Sequence, residues 1–219
     1  MQKHRKSVVE RKNREKKQRI QSILGEAKKL FLSKGYRETT MDQVALEAGF
    51  SKATIYQYFK SKDDLYFSLL LPIAEDSNRE MKKVEEKLYS GKYSSGADFI
   101  RDMFKHFYKA YEKDPEGFKI LQLFQQTGML WELSEETRLT IFETGKTNFK
   151  LARRLIRKAI QQNLIKEVNV YHFADIMWGG LFVGLIQTAD IKSGGKGISK
   201  HLKPTLKMAQ ELMIEAVAK

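Results

Sequence analysis

The sequence predicts an all-α protein divided into a small N-terminal head and a larger helical body. Three observations carry this expectation. Apolar residues recur at steps of three and four through almost the whole chain, no stretch shows the alternation of a strand, and start signals for short helices crowd into the first third. At 219 residues the chain exceeds one average domain. Its 42% hydrophobic content, 13 Phe, 9 Tyr and 2 Trp against 3 Pro, supplies enough apolar surface for both parts to build cores. The expected division is a basic extension over residues 1–19, a head over 20–66 and a body over 67–219.

In the first segment Ile20, Ile23, Leu24, Ala27, Leu30 and Phe31 form one apolar stripe that stops at Gly35, which predicts an amphipathic helix. Thr40 is placed to cap a second helix opening at Met41, with Gln43 three residues on completing a capping box. That helix is short and ends near Ala48 and Gly49. Ser51 caps a third over residues 52–59, and Ser61 with Asp64 a fourth, whose Asp63 and Asp64 suit the positive end of the helix dipole. The fourth runs toward Leu88, with Pro72 predicting a kink or break after Leu71.

Residues 91–96 read as a loop, followed by a helix over residues 97–113 and another opened by Asp114, Pro115 and Glu116. Ser134, Glu135 and Glu136 open a long helix to about Gln162 with Phe142, Phe149, Ala152, Ile156 and Ala159 on its stripe. Asn169 opens the next, which ends before the glycine-rich loop at 193–197. A last helix from about Ser199 carries Leu202, Leu206, Ala209, Leu212, Met213 and Ala216.

Net charge is +13, and its distribution says more than its size. Residues 1–19 hold nine Lys/Arg against Glu10 and Glu15, and residues 20–62 hold seven against four acids, so ten of the thirteen excess charges lie in the first 62 residues. A polyanion is the expected partner of that third, although a charge run by itself is usually only a solvated face. The basic tail has three open readings: an arm in a minor groove, an unordered extension, or a longer first helix adding phosphate attraction.

Absence of cysteine removes disulfides and thiolate chemistry, and favours a reducing compartment, so the cytoplasm is expected. No apolar run precedes Ile20, unlike a secretory signal. The most apolar stretch, residues 173–186, includes Asp175 and is too short for a membrane helix, so no membrane partner is expected.

Residues 35–65 carry the functional signal. Ala45 permits close approach of two short helices, Gly49 suits a turn with positive φ, and Val44, Ala48, Phe50 and Ile55 pin them together. Ile55 and Phe59, four apart, point inward. Lys52, Ala53, Thr54, Tyr56 and Gln57 are left outward or on the edges. Lysine suits guanine O6/N7, glutamine suits adenine N6/N7, and the Ala53 or Thr54 methyl suits a thymine methyl. Thr40, Tyr56, Tyr58, Lys60 and Lys62 are placed for phosphates, with Ser51 at the head of the reading helix.

This stretch resembles the DNA-binding domain of the tetracycline-repressor (TetR) family. The resemblance rests on Phe31, Gly35 and Tyr36, then Thr39 and Thr40, then Val44, Ala45, Ala48 and Gly49, then Ser51, Lys52, Ile55, Tyr56, Tyr58, Phe59, Lys62 and Leu65. The family often has glycine where this chain has Ala53. Alanine is still small enough to keep the backbone near DNA. The resemblance implies a homodimeric transcriptional regulator, a repressor released from a double-stranded operator by a small apolar or amphipathic effector, with no cofactor or metal.

On that reading some of Phe104, His106, Phe107, Tyr108, Phe124, Gln125, Met129, Trp131, Phe149 and Trp178 line an effector site, and Gln126 is a further polar candidate. Residues 173–186 read either as a buried core helix or as a subunit interface. The resemblance favours an interface of Gly180, Leu181, Gly184 and Leu185 with Leu206, Leu212 and Met213 of the final helix. Rival readings are a nonspecific basic nucleic-acid binder and a helical partner-binding protein. Enzyme readings fail one by one. Residues 144–147 imitate the end of a P-loop, but Thr140 stands where glycine is required. His4, His106, His172 and His201 lack metal spacing, and no GxSxG occurs.

Overall fold

The computed structural model describes residues 2–126, 131, 133–194 and 199–219. Met129 lies outside them, as do the side chains of Gln125 and Gln126. Among the described residues the chain is helical, apart from turns and an isolated antiparallel bridge between Ile165 and Ala218. Among the described residues no helix is long and apolar enough to cross a membrane.

The elements are α1 (Gln2–Glu38), α2 (Met41–Ala48), α3 (Lys52–Tyr58), α4 (Lys62–Tyr89), α5 (Gly96–Lys113), α6 (Pro115–Gln126) and α7 (Glu135–Gln161). There follow α8 (Val170–Asp175), a π-helical segment (Ile176–Val183), α9 (Gly184–Ser193) and α10 (Ser199–Val217). They form two compact units, one of Met1–Leu71 with Leu123–Leu139, the other of Pro72–Gln122 with Thr140–Lys219. This differs from a single cut at residue 66: the first unit takes in a second piece of chain, and the boundary falls inside α4, at Pro72. That helix runs on through Pro72 without the expected break. Pro72 is solvent-exposed, and the helix continues past it at the cost of one backbone hydrogen bond.

In the first unit, Ile23, Ala27, Leu30 and Phe31 of α1 are buried as their spacing predicts, together with Leu65, Tyr66, Leu69 and Leu70 of α4. Tyr66 sits edge-on to Phe31 (4.9 Å) and to Tyr36 (5.5 Å), and its burial raises its pKa well above the ordinary phenol value. The backbone leaves helical geometry at Gly35 (φ 82°, ψ 172°), where the stripe stops. Upstream the helix continues through the basic segment, which answers the question left open about residues 2–19 in favour of a longer first helix.

The second unit has its core among α4 (Met81, Val84, Leu88), α5 (Phe99, Ile100, Met103, Phe104, Phe107), α7 (Leu151, Leu155, Ile156, Ala159) and the run from Phe173 to Phe182. Polar staples cross it. Asn78 donates to Asn148 (2.8 Å), which donates to the Ala74 carbonyl (3.0 Å), and Gln162 donates to the Leu88 carbonyl (3.0 Å). His106 is buried with Nδ1 2.7 Å from Glu80 Oε2, so an ionised Glu80 makes Nδ1 the donor. Burial alone would raise the Glu80 pKa. Hydrogen bonds from Lys83 and His106 overcome this and hold the pKa below the usual carboxylate value. Asp102 is likewise depressed, burial being outweighed by Tyr93 (2.7 Å) and Lys87 (3.3 Å).

Some stripe positions are corrected. Phe142 is exposed, while Ile156 and Ala159 are buried as expected and are joined by Leu151 and Leu155, so the buried part of α7 lies in its second half. Gly96 opens α5 against the end of the chain: a Cβ there would stand 1.8 Å from the Leu164 carbonyl oxygen, which already accepts from Lys219 N at 3.0 Å. Gly96→Ala therefore forces backbone apart. Thermal unfolding should show a loss of about 1–3 kcal/mol or more, and an unchanged Tm would contradict this packing.

Candidate nucleic-acid interface

The interface is built from α2, α3 and the turn between them. Thr40 Oγ1 accepts from Gln43 N (3.2 Å) while Gln43 Oε1 accepts from Thr40 N (3.0 Å), a complete capping box. After Ala48 the chain turns at Gly49 (φ 70°, ψ 28°), a left-handed geometry that a side chain would strain. Ala45 is 4% exposed, its small side chain letting α3 come close. Ser51 then caps α3, its Oγ accepting from Thr54 N (3.2 Å).

Seven residues make up α3, and one side of it is committed inward. Ile55 is fully buried, and Phe59 just beyond is 4% exposed. On the other side Lys52, Ala53, Tyr56 and Gln57 are exposed, with Thr54 and Tyr58 half-buried at the edges. The predicted readers thus share one solvent-facing surface. Ser51, Thr40 and Lys60 are also exposed.

Two lysines already have partners. Lys52 Nζ lies 2.7 Å from Asp42 Oδ1 across the α2–α3 turn, and that hydrogen bond raises the Lys52 pKa. Lys62 is half-buried, donates to the carbonyls of Tyr36 (2.9 Å) and Arg37 (3.3 Å), and stands 4.2 Å over the Tyr36 ring. Its ammonium therefore ties α4 to the end of α1. Asp63 makes a second tie: one carboxylate oxygen accepts from the Tyr36 hydroxyl, the other from Ser134 N at 2.6 Å. Asp42, Tyr36 and Asp63 were not among the expected interface residues. Their partners lie 10 to 71 positions away, beyond the reach of helical spacing.

The effector candidates separate. Phe104, His106 and Phe107 are buried in the second unit, where Phe107 stacks on Phe182 (4.0 Å) and meets Trp178 (5.6 Å), and Phe104 lies 5.1 Å from Phe182. Tyr108, Phe149 and Trp178 are half-buried in the same unit. Phe124 is buried in the first unit. Trp131 is corrected: it is 72% exposed with Arg138 5.5 Å over its ring, so it lines no interior. Among the described residues no group of three or more acidic or histidine side chains is placed to hold a metal.

Of the expected subunit-interface residues, Leu212 is 60% exposed. Leu206, Met213 and Leu181 are half-buried against the unit's own core, Gly184 and Leu185 are half-buried, and Gly180 lies in the π-helical segment. Met208, 64% exposed, joins Leu212 on α10.

Comparison with known proteins agrees with this geometry. The family model described as bacterial regulatory proteins, tetR family, matches residues 23–69. Over 162 residues the chain is 26% identical to an uncharacterised HTH-type transcriptional regulator, YvaF, of Bacillus subtilis (strain 168), covering 73% of this chain and 77% of that one. The fold matches the TetR family transcriptional regulator PfmR of Thermus thermophilus (TM-score 0.66, 21% identity, 88% and 97% of the two chains). It also matches the transcriptional regulator FadR of Bacillus subtilis in complex with stearoyl-CoA (TM-score 0.63, 20% identity, 86% and 96%).

The Lys52–Asp42 pair makes a prediction. Asp42→Asn removes a negative charge from a surface that faces a polyanion and releases Lys52. Binding to any duplex should tighten by less than about tenfold, as suits a solvent-exposed pair, and weaker binding in a gel-shift titration would contradict the assignment of this face.

Proposed function

We propose that this chain, a DNA-binding transcriptional regulator whose residues 23–69 match the tetR family of bacterial regulatory proteins, is a homodimeric repressor that reads its operator with α3 and leaves it when an apolar or amphipathic effector binds. The exposed face of α3 supports the reading step above all: Ile55 and Phe59 hold the helix down while Lys52, Ala53, Thr54 and Gln57 stand at its solvent side or edge. Lys52 addresses guanine, Gln57 adenine, and the Ala53 and Thr54 methyls thymine. Thr40, Ser51, Tyr56, Tyr58, Lys60 and Lys62 fix the register on phosphates.

Pairing gives such a reader two half-sites. The dimer forms through the run around Gly180, Leu181, Gly184 and Leu185 with α10, where Leu212 and Met208 are apolar and open to solvent. Residues 67–219 bind the effector among Phe104, Phe107, Phe149 and Trp178. The same unit buries Gln122 and Ser77, and among the described residues the Ser77 hydroxyl oxygen meets no hydrogen-bond partner. The fold neighbour in complex with stearoyl-CoA supports an amphipathic effector with a long apolar chain as a class. Because α4 belongs to both units, it is the element through which effector binding shifts the population of DNA-competent dimers. The protein works in the cytoplasm, where operator and effector meet.

Selection of bound duplexes from a random pool tests the reading. It should return a two-fold-symmetric motif with half-sites one helical turn, or a multiple of it, apart. Gln57→Ala should lose about 1–3 kcal/mol of discrimination at one base pair per half-site. A motif unchanged by both Gln57→Ala and Lys52→Ala, with all DNA merely bound less well, would rule out direct readout by α3. For the dimer, Gly180→Leu should shift sedimentation toward monomer, and an unaltered dimer would remove that interface.

A further inference from the structure

We propose that residues 2–19, the basic beginning of α1, form a helical arm that grips the phosphates of duplex DNA flanking the half-site read by α3. The inference rests on the operator-binding reading and extends it to a second contact surface.

The helix is continuous from Gln2 to its change of direction at Gly35, so the arm is the same rod that carries Ile23, Ala27 and Phe31 into the head's core. From Val9 to Arg19 the arm buries no side chain. Continuing the apolar stripe backward by steps of three and four from Ile20 meets Lys16 and Lys12, then Val8 and Val9, then Arg5, so the only apolar residues on it are that adjacent pair among cations. Residues 9–19 are all exposed, Val9 at 56%. The segment therefore overhangs the head by about 26 Å at ~1.5 Å per residue.

Its charge calls for an anion. Nine Lys/Arg face two Glu, and Glu15 meets Arg11 only at 3.7 Å in a pair whose side chains are 53% and 72% exposed. The cations are spread around the helix instead of lining one side, and no apolar face accompanies them, which does not suit an amphipathic helix lying in a lipid surface. Duplex DNA offers about one negative charge per 1.7 Å. The same unit already presents α3 to it. Phosphate attraction without base contacts fits an arm of lysines and arginines that overhangs the head's core.

The test compares the full chain with a variant carrying Lys12→Gln, Arg14→Gln, Lys16→Gln and Lys17→Gln, which keeps good helix formers, and with a chain lacking residues 2–17. Each is titrated with a selected duplex bearing flanks on both sides of the motif and with the same motif cut to its edges. The unaltered chain should bind the flanked duplex at least about tenfold more tightly than either altered chain at ~0.1 M salt, with a salt slope steeper by about two per protomer. The selected motif should be the same for all three, and trimming the flanks should abolish the difference. Equal salt slopes, a difference that survives trimming, or a motif altered by the substitutions would overturn the arm. So would a loss confined to binding of phosphatidylglycerol vesicles or of RNA. If the unaltered chain selects no duplex at all, the operator-binding reading falls, and the arm with it.

Discussion

Seven residues cannot hold a helix in water by themselves, and the arrangement of the head follows from how α3 is held. Three local devices do it: the left-handed turn at Gly49, the Ser51 cap, and the burial of Ile55 and Phe59 against the rest of the unit. Because the anchoring side chains lie four apart, they take one side of the helix and leave the other open. A helix buried all round would have no such face to offer a groove about 12 Å wide.

The parts of this arrangement that were legible in the sequence are those whose partners lie within one helical turn. Thr40 with Gln43, Ser51 with Thr54, Ser134 with Thr137, Asp114 with Gly117 and Asn169 with His172 are all caps closed within three residues, and all are present. Periodicity alone was less reliable for what it faced. Phe142 and Leu212 are stripe residues that the chain leaves exposed, since a stripe shows which side of a helix is apolar and not what covers it. Ties such as Lys62 to the end of α1, or Asp63 to Tyr36 and Ser134, bring together residues far apart in the chain and leave no local signature. The tie from Asp63 to Ser134 also helps explain why the first unit includes residues 123–139, which no composition shift announced.

Electrostatics divide the chain as well. In the second unit charge is neutralised internally, His106 lying between Glu80 and Asp102 while Lys83 and Lys87 answer those carboxylates. In the first unit positive charge is left facing solvent along α1 and around α3, with Asp42 beside Lys52 as a local restraint. Attraction to phosphate brings such a surface to any duplex, but only side chains held in a fixed place can prefer one base over another.

The central claim is that the open face of α3 reads bases directly. Its most direct measurement is a change of specificity: Gln57→Arg, followed by selection of bound duplexes from a random pool and comparison with the motif of the unaltered chain. Arginine pairs with guanine as glutamine does with adenine, so a single position in each half-site should change from adenine to guanine while the rest of the motif and its spacing stay as they were. An unchanged motif, or one degraded at every position alike, would show that the sequence is read elsewhere.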